Sequence, residues 1–137
     1  GVQRLDPATG QPGAGEPLAV DCRLPLSGLA PRIYREQRRL APFGPGFPEP
    51  VYICQGARIT SCWRSGAEGR NLRLRARDAT GEGVFFWARQ GELCDSLRAY
   101  FSRLPLLDIV YTLDAFIRPN GDLDLLPRIV ALRPLDA

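Results

Sequence analysis

From residue 71 to 77 apolar and charged positions alternate without a break, Leu72, Leu74 and Ala76 against Arg73, Arg75 and Arg77. A period of two predicts a strand with one apolar and one charged face. Similar signals surround it. Residues 51–54 and 57–64 read as strand material, and Thr80-Gly81-Glu82-Gly83 as a turn. Residues 84–89 form a strand that is apolar on both faces. Leu93, Leu97 and Phe101 then recur every four residues, which predicts a helix over 91–103. Residues 107–117 alternate again, Asn120-Gly121 marks a tight hairpin, and 123–132 completes the pattern. Pro127 within that last run predicts an edge position or a bulge.

The segment before residue 51 reads differently. Residues 1–17 are rich in Gly and Pro and predict a linker or flexible arm. Residues 18–50 form a lead-in: a short extended piece at 18–24, a helix over 27–40 and a Pro/Gly-rich turn at 42–50. Ser27 is the expected N-cap, and Pro31 fits only the helix's first turn. Residues 51–137 then hold the main domain. Its order, three strands, a helix and two strands, is that of a mainly β, five-stranded OB-like Greek-key barrel with the helix between strands 3 and 4. A plain five-stranded α+β sheet fits the same string.

Composition narrows the chemistry. The 137 residues suit one domain, and no apolar run approaches the roughly 18 residues of a membrane span. No basic and apolar leader opens the chain, so a cytoplasmic location is expected. There is no Met, which predicts a piece of a larger protein or a processed chain. There is no His, which removes the usual Ser-His and Cys-His pairs. There is no Lys, so no phosphate-cradling Gly-rich loop with its lysine exists, and all 18 positive charges are Arg. Cys22, Cys54, Cys62 and Cys94 form no Cys-x-x-Cys pair, and the expectation is reduced thiols serving as small core residues. Catalytic residues, metal ligands and cofactors are therefore expected to be absent from this chain.

Binding fits better than catalysis. Arg73, Arg75 and Arg77 stand about 6.5–7 Å apart along one strand face, close to the phosphate repeat of an extended nucleic-acid strand. Trp63 lies on the strand before, and Trp87 and Arg89 on the strand after. Arg58 and Arg64 are further candidates for the same or a neighbouring face. Guanidinium groups beside aromatic rings suit single strands, with charge for the backbone and π faces for the bases. Two other readings accompany this one. Phe85 and Trp87 read equally well as core, and an Arg row also protects an exposed sheet face.

The segment from Leu40 to Tyr52 reads LAPFGPGFPEPVY. It resembles the L-x-P-F-G-x-G-N-P-E-P-x-F motif of RecJ-type single-stranded-DNA-specific exonucleases in the DHH phosphoesterase superfamily. It matches at Leu40, Pro42, Phe43, Gly44, Gly46, Pro48, Glu49 and Pro50, and departs at Phe47, where the family has Asn. Asp21 in its apolar run, Asn71-Leu72-Arg73-Leu74, Gly91-Glu92, Leu107 to Leu113 and Asn120-Gly121 are similar to the family's later stretches, in order. The resemblance covers roughly residues 18–134. It implies the C-terminal OB module of such an exonuclease, with single-stranded DNA as its ligand and roles in DNA repair and recombination. It implies further that catalysis, with Mg or Mn, sits in domains missing from this chain. Single-stranded-DNA-binding protein is an implied partner, and a protein-docking OB module is the alternative use of the same scaffold.

Overall fold

A computed structural model describes residues 22–39, 49–100, 103 and 106–135. The expected linker at 1–17 and most of the Pro/Gly-rich turn, Phe43 included, lie outside those residues. The alternating run forms β3 (Asn71–Asp78), with Leu72, Leu74 and Ala76 fully buried. It is flanked by β2 (Tyr52–Ser65) and β4 (Gly81–Trp87), both antiparallel to it. Beyond them come α2 (Leu93–Tyr100), β5 (Leu107–Ile117) and β6 (Leu123–Pro134). β6 runs parallel to β4 through one bridge, Phe86 with Arg128, and antiparallel to β5 along its length. β5 then pairs with the first half of β2 and closes the barrel. Five strands in this cyclic order, with a helix after the third, make a Greek-key barrel of the OB type.

β2 joins both stretches of strand material, 51–54 and 57–64, into one strand. Its 14 residues stay continuous because Gly56 adopts φ +69 between Cys54 and Ala57, where the register with β5 shifts. A second shift between Ile59 and Ser61 bends the strand again. One strand can therefore pair with β5 at one end and with β3 at the other. The expected turn at 80–83 moves to Ala79 and Thr80, and Gly81 already pairs with Asp78. Asp78 fixes that turn: its Oδ1 accepts from the Thr80 and Gly81 N–H groups at 2.8 and 3.0 Å. Asn120-Gly121 forms the expected hairpin, with Gly121 at φ +91. The bulge in the β5–β6 ladder falls at Val130, not at Pro127, which neighbours the single bridge to β4.

The lead-in packs onto this barrel. β1 (Cys22–Arg23) runs parallel to β2, and Leu24 and Leu26 enter the core. Leu26 N–H donates to Asp78 Oδ2 at 2.9 Å. α1 (Pro31–Arg38) carries Pro31 in its first turn, as expected. Its N-cap is Ala30 and not Ser27, because residues 26–28 first make a 3-10 turn. Ser27 instead donates its N–H to the Thr80 hydroxyl at 3.0 Å. α1 is tied down by Gln37, which is buried: its Nε2 donates to the Leu113 carbonyl at 3.0 Å, and its Oε1 accepts from the Tyr52 hydroxyl at 3.1 Å. Inside the barrel Tyr111 stacks on Tyr52 and meets Phe85 edge-on, with ring centroids 5.7 and 5.1 Å apart. No described helix is long and apolar enough to cross a membrane.

Candidate nucleic-acid interface

The geometry of the site follows from register. Because Leu74 pairs with Phe85 and faces inward, Arg73 and its partner Phe86 face outward. Trp63 on β2 is paired with Arg73, and Arg128 on β6 with Phe86. One row thus crosses four strands on the barrel's outer surface: Trp63, Arg73, Phe86, Arg128. Both guanidinium groups lie over the Phe86 ring, Arg73 at 5.5 Å and Arg128 at 5.3 Å from its centroid. Such contacts contribute about 0.5–1 kcal/mol each at an exposed site. They hold two otherwise floppy cations in a fixed position.

Two further rows carry charge. Arg75 stands between Ser61 and Val84, and Arg77 stands between Arg58 and Glu82. Arg58 opposite Arg77 is a like-charge pair, which a purely structural sheet face avoids. Glu82 offsets part of it through an ion pair with Arg77 at 3.5 Å. Among the described residues no carboxylate lies within ion-pair distance of Arg58, Arg73 or Arg75. Arg128 is tempered by Asp114, whose Oδ2 accepts from its Nε at 3.3 Å. Burial, then the nearby Asp114 charge, raises the Glu49 carboxyl above its ordinary range, with Arg128 opposing.

Of the residues expected at the site, Arg58, Arg73, Arg75, Arg77 and Trp63 share this outer face. Trp87 does not. It pairs with Leu72 on the inward side and packs against the core. Arg64 also leaves the face, since it is paired with Leu72 and reaches Asp95 of α2 at 3.6 Å. Arg89 falls beyond β4 in a left-handed turn with φ +63, its N–H donated to Asn71 Oδ1 at 3.1 Å. Phe86 and Arg128 were not expected and complete the row. The hairpin at 79–80 pairs the odd-numbered outward residues of β3 with the even-numbered residues of β4, and that parity is the signal that points to Phe86. None points to Arg128, whose place depends on how the barrel closes.

The closed barrel, with an arginine and aromatic face on its second and third strands, defines a domain of the OB class. The RecJ OB domain model matches residues 20–116, and the chain belongs to that family. Over 70 residues, 51% of the chain, it is 40% identical to the single-stranded-DNA-specific exonuclease RecJ of Thermus thermophilus. The chain spans about a tenth of that relative's length, the matched stretch being 10% of it. A solved structure described as an aspartyl-tRNA synthetase from Leishmania major Friedlin overlays 82% of this chain and 20% of its own. The TM-score is 0.43 and the identity 12%.

Proposed function

We propose that this domain binds single-stranded DNA across β2, β3 and β4, as a non-catalytic module of a longer RecJ-like exonuclease acting in the cytoplasm. The observation that carries the reading is the Trp63, Arg73, Phe86, Arg128 row, with Arg75, Arg77 and Arg58 beside it. Guanidinium groups supply phosphate contacts, and the rings and guanidinium planes supply stacking surfaces for bases. Sequence preference should be slight, because every base has a π face. The domain holds the strand, and the rest of the longer protein cuts it. In this reading a divalent metal serves the catalytic part of the longer protein.

A salt titration of strand binding tests the proposal. Replacing Arg73 and Arg75 together with Ala should weaken binding similarly for all sequences. The slope of log affinity on log salt should fall by about 1 to 2 units, at about 0.7 per phosphate. Stability should stay within about 1 kcal/mol of the parent, since neither side chain is buried and the main loss is the Arg73 contact with Phe86. Parental binding by the double variant at low salt would place the strand elsewhere. A docking role toward a protein, such as single-stranded-DNA-binding protein, is favoured by one feature. Phe116 and Ile117, 50% and 73% exposed, project near the β5–β6 hairpin. Contact made there would depend little on salt, and Ile117→Asp would abolish it while leaving strand binding intact.

A further inference from the structure

Cys62 on β2 and Cys94 on α2 are both buried free thiols, and their sulfur atoms lie 3.3 Å apart. We propose that this pair is an oxidation site, at which a hydroperoxide converts the two thiols into a disulfide that locks α2 to the barrel.

The geometry needs little change. A disulfide sets its sulfurs about 2.05 Å apart, so the two sulfur atoms must approach by roughly 1.3 Å, through side-chain rotation and a small shift of α2. α2 is only 8 residues long. It is attached to β2 by polar contacts that can follow such a shift. Arg98 donates from Nη2 and Nε to the Cys62 carbonyl at 2.9 and 3.3 Å, and Arg64 meets Asp95 at 3.6 Å. The other thiols are placed differently. Cys54 lies on the far half of β2 against Asp78, and Cys22 is exposed on β1. The reaction runs in two steps. The Cys62 thiolate attacks one peroxide oxygen, the O–O bond breaks, and hydroxide leaves, giving a sulfenic acid. The Cys94 sulfur then displaces the sulfenic hydroxyl as water, so two thiols and one hydrogen peroxide yield one disulfide and two waters. Burial, followed by the hydrogen bond and charge of Cys94, pushes the Cys62 thiol up to about 11 against the opposing Arg98. Reaction at neutral pH is accordingly slow, and it proceeds through transient opening of α2.

The consequence is a closed loop that spans β3, β4 and the entry to α2. Such a loop stabilises the domain mainly by restricting its unfolded chain. The experiment treats the Cys22→Ala variant with excess hydrogen peroxide and reads intact mass, peptide map and thermal midpoint. The expected product is lighter by two hydrogens, carries a peptide cross-link between Cys62 and Cys94, and melts on the order of 10 °C higher. Dithiothreitol should reverse both changes. Cys94→Ser should give no cross-link and no rise, with its untreated melting curve showing that it folds. Oxidation confined to sulfinic or sulfonic acids, a cross-link through Cys54, or a cross-link that leaves the midpoint unmoved would each overturn the proposal.

Discussion

Phe86 and Trp87 are neighbours in the chain with opposite duties, and substitution should separate them. Trp87→Ala removes a ring packed on the core and should cost about 2 kcal/mol by urea denaturation, with little effect on strand binding per folded molecule. Phe86→Ala releases the Arg73 and Arg128 guanidinium groups and should weaken strand binding several-fold while costing only about 1 kcal/mol of stability. Equal stability losses at both positions would refute this assignment of faces. Asp78 carries a different load. Burial raises its carboxyl, but hydrogen bonds from the Thr80 hydroxyl, the Leu26 and Thr80 N–H groups and Cys54 outweigh that, bringing it down to about 2 from 3.8. A depressed carboxylate stabilises the fold fully above its unfolded value and loses that contribution as pH falls through the folded one. The native protein should thus lose on the order of 1 kcal/mol between about pH 4 and pH 2 through this group, the figure being reduced for solvent screening. Asp78→Asn should be less stable at neutral pH and should lack that part of the acid dependence, as followed by denaturation at each pH.

At the scale of elements, the alternation at 71–77 was enough to orient β3, since Leu72, Leu74 and Ala76 leave only one way for the arginines to point. The next strand offered no such guide. Val84, Phe85, Phe86 and Trp87 are all large and apolar, so only pairing decides which ring goes inside. The two-residue turn at 79–80 makes that decision, and the glycines of Thr80-Gly81-Glu82-Gly83 do not mark it, because the Asp78 carboxylate fixes the turn by accepting from Thr80 and Gly81. Arg64 leaves the face because its pairing with Leu72 gives it the opposite parity to Trp63, and Arg89 because β4 ends at Trp87 and the chain turns beyond it. The entry to α2 shows a stricter constraint. A Cβ on Gly91 would meet the Gly69 carbonyl oxygen at 1.9 Å and the Arg70 carbonyl carbon at 2.9 Å. The Gly91 N–H also donates to the Arg70 carbonyl at 2.8 Å. Gly91→Ala must push the 67–70 turn and the helix apart, and we expect a cost of about 2–3 kcal/mol in urea denaturation.

For the whole molecule, strand order and helix placement were legible because each strand ends in a recognisable turn, whereas closure was not, because β2 joins β5 through residues 50 or more positions apart. The isolated chain should degrade no DNA with magnesium or manganese, and metal-dependent loss of a labelled strand in clean protein would contradict its role as a module. The barrel's closure is also uneven. β5 and β6 are paired over most of their length, while β4 and β6 meet at one bridge, and that bridge is Phe86 with Arg128. The thinnest seam of the barrel therefore runs through the middle of the face proposed to bind DNA. Amide hydrogens along β4 and the adjoining part of β6 should exchange with solvent faster than those of β3. A strand lying across Arg73, Phe86 and Arg128 would hold both sides of the seam at once, so occupancy should slow that exchange by favouring the closed form over the open one. In this way a bound strand would act as a sixth stave, completing a wall that the chain's own backbone leaves almost unjoined.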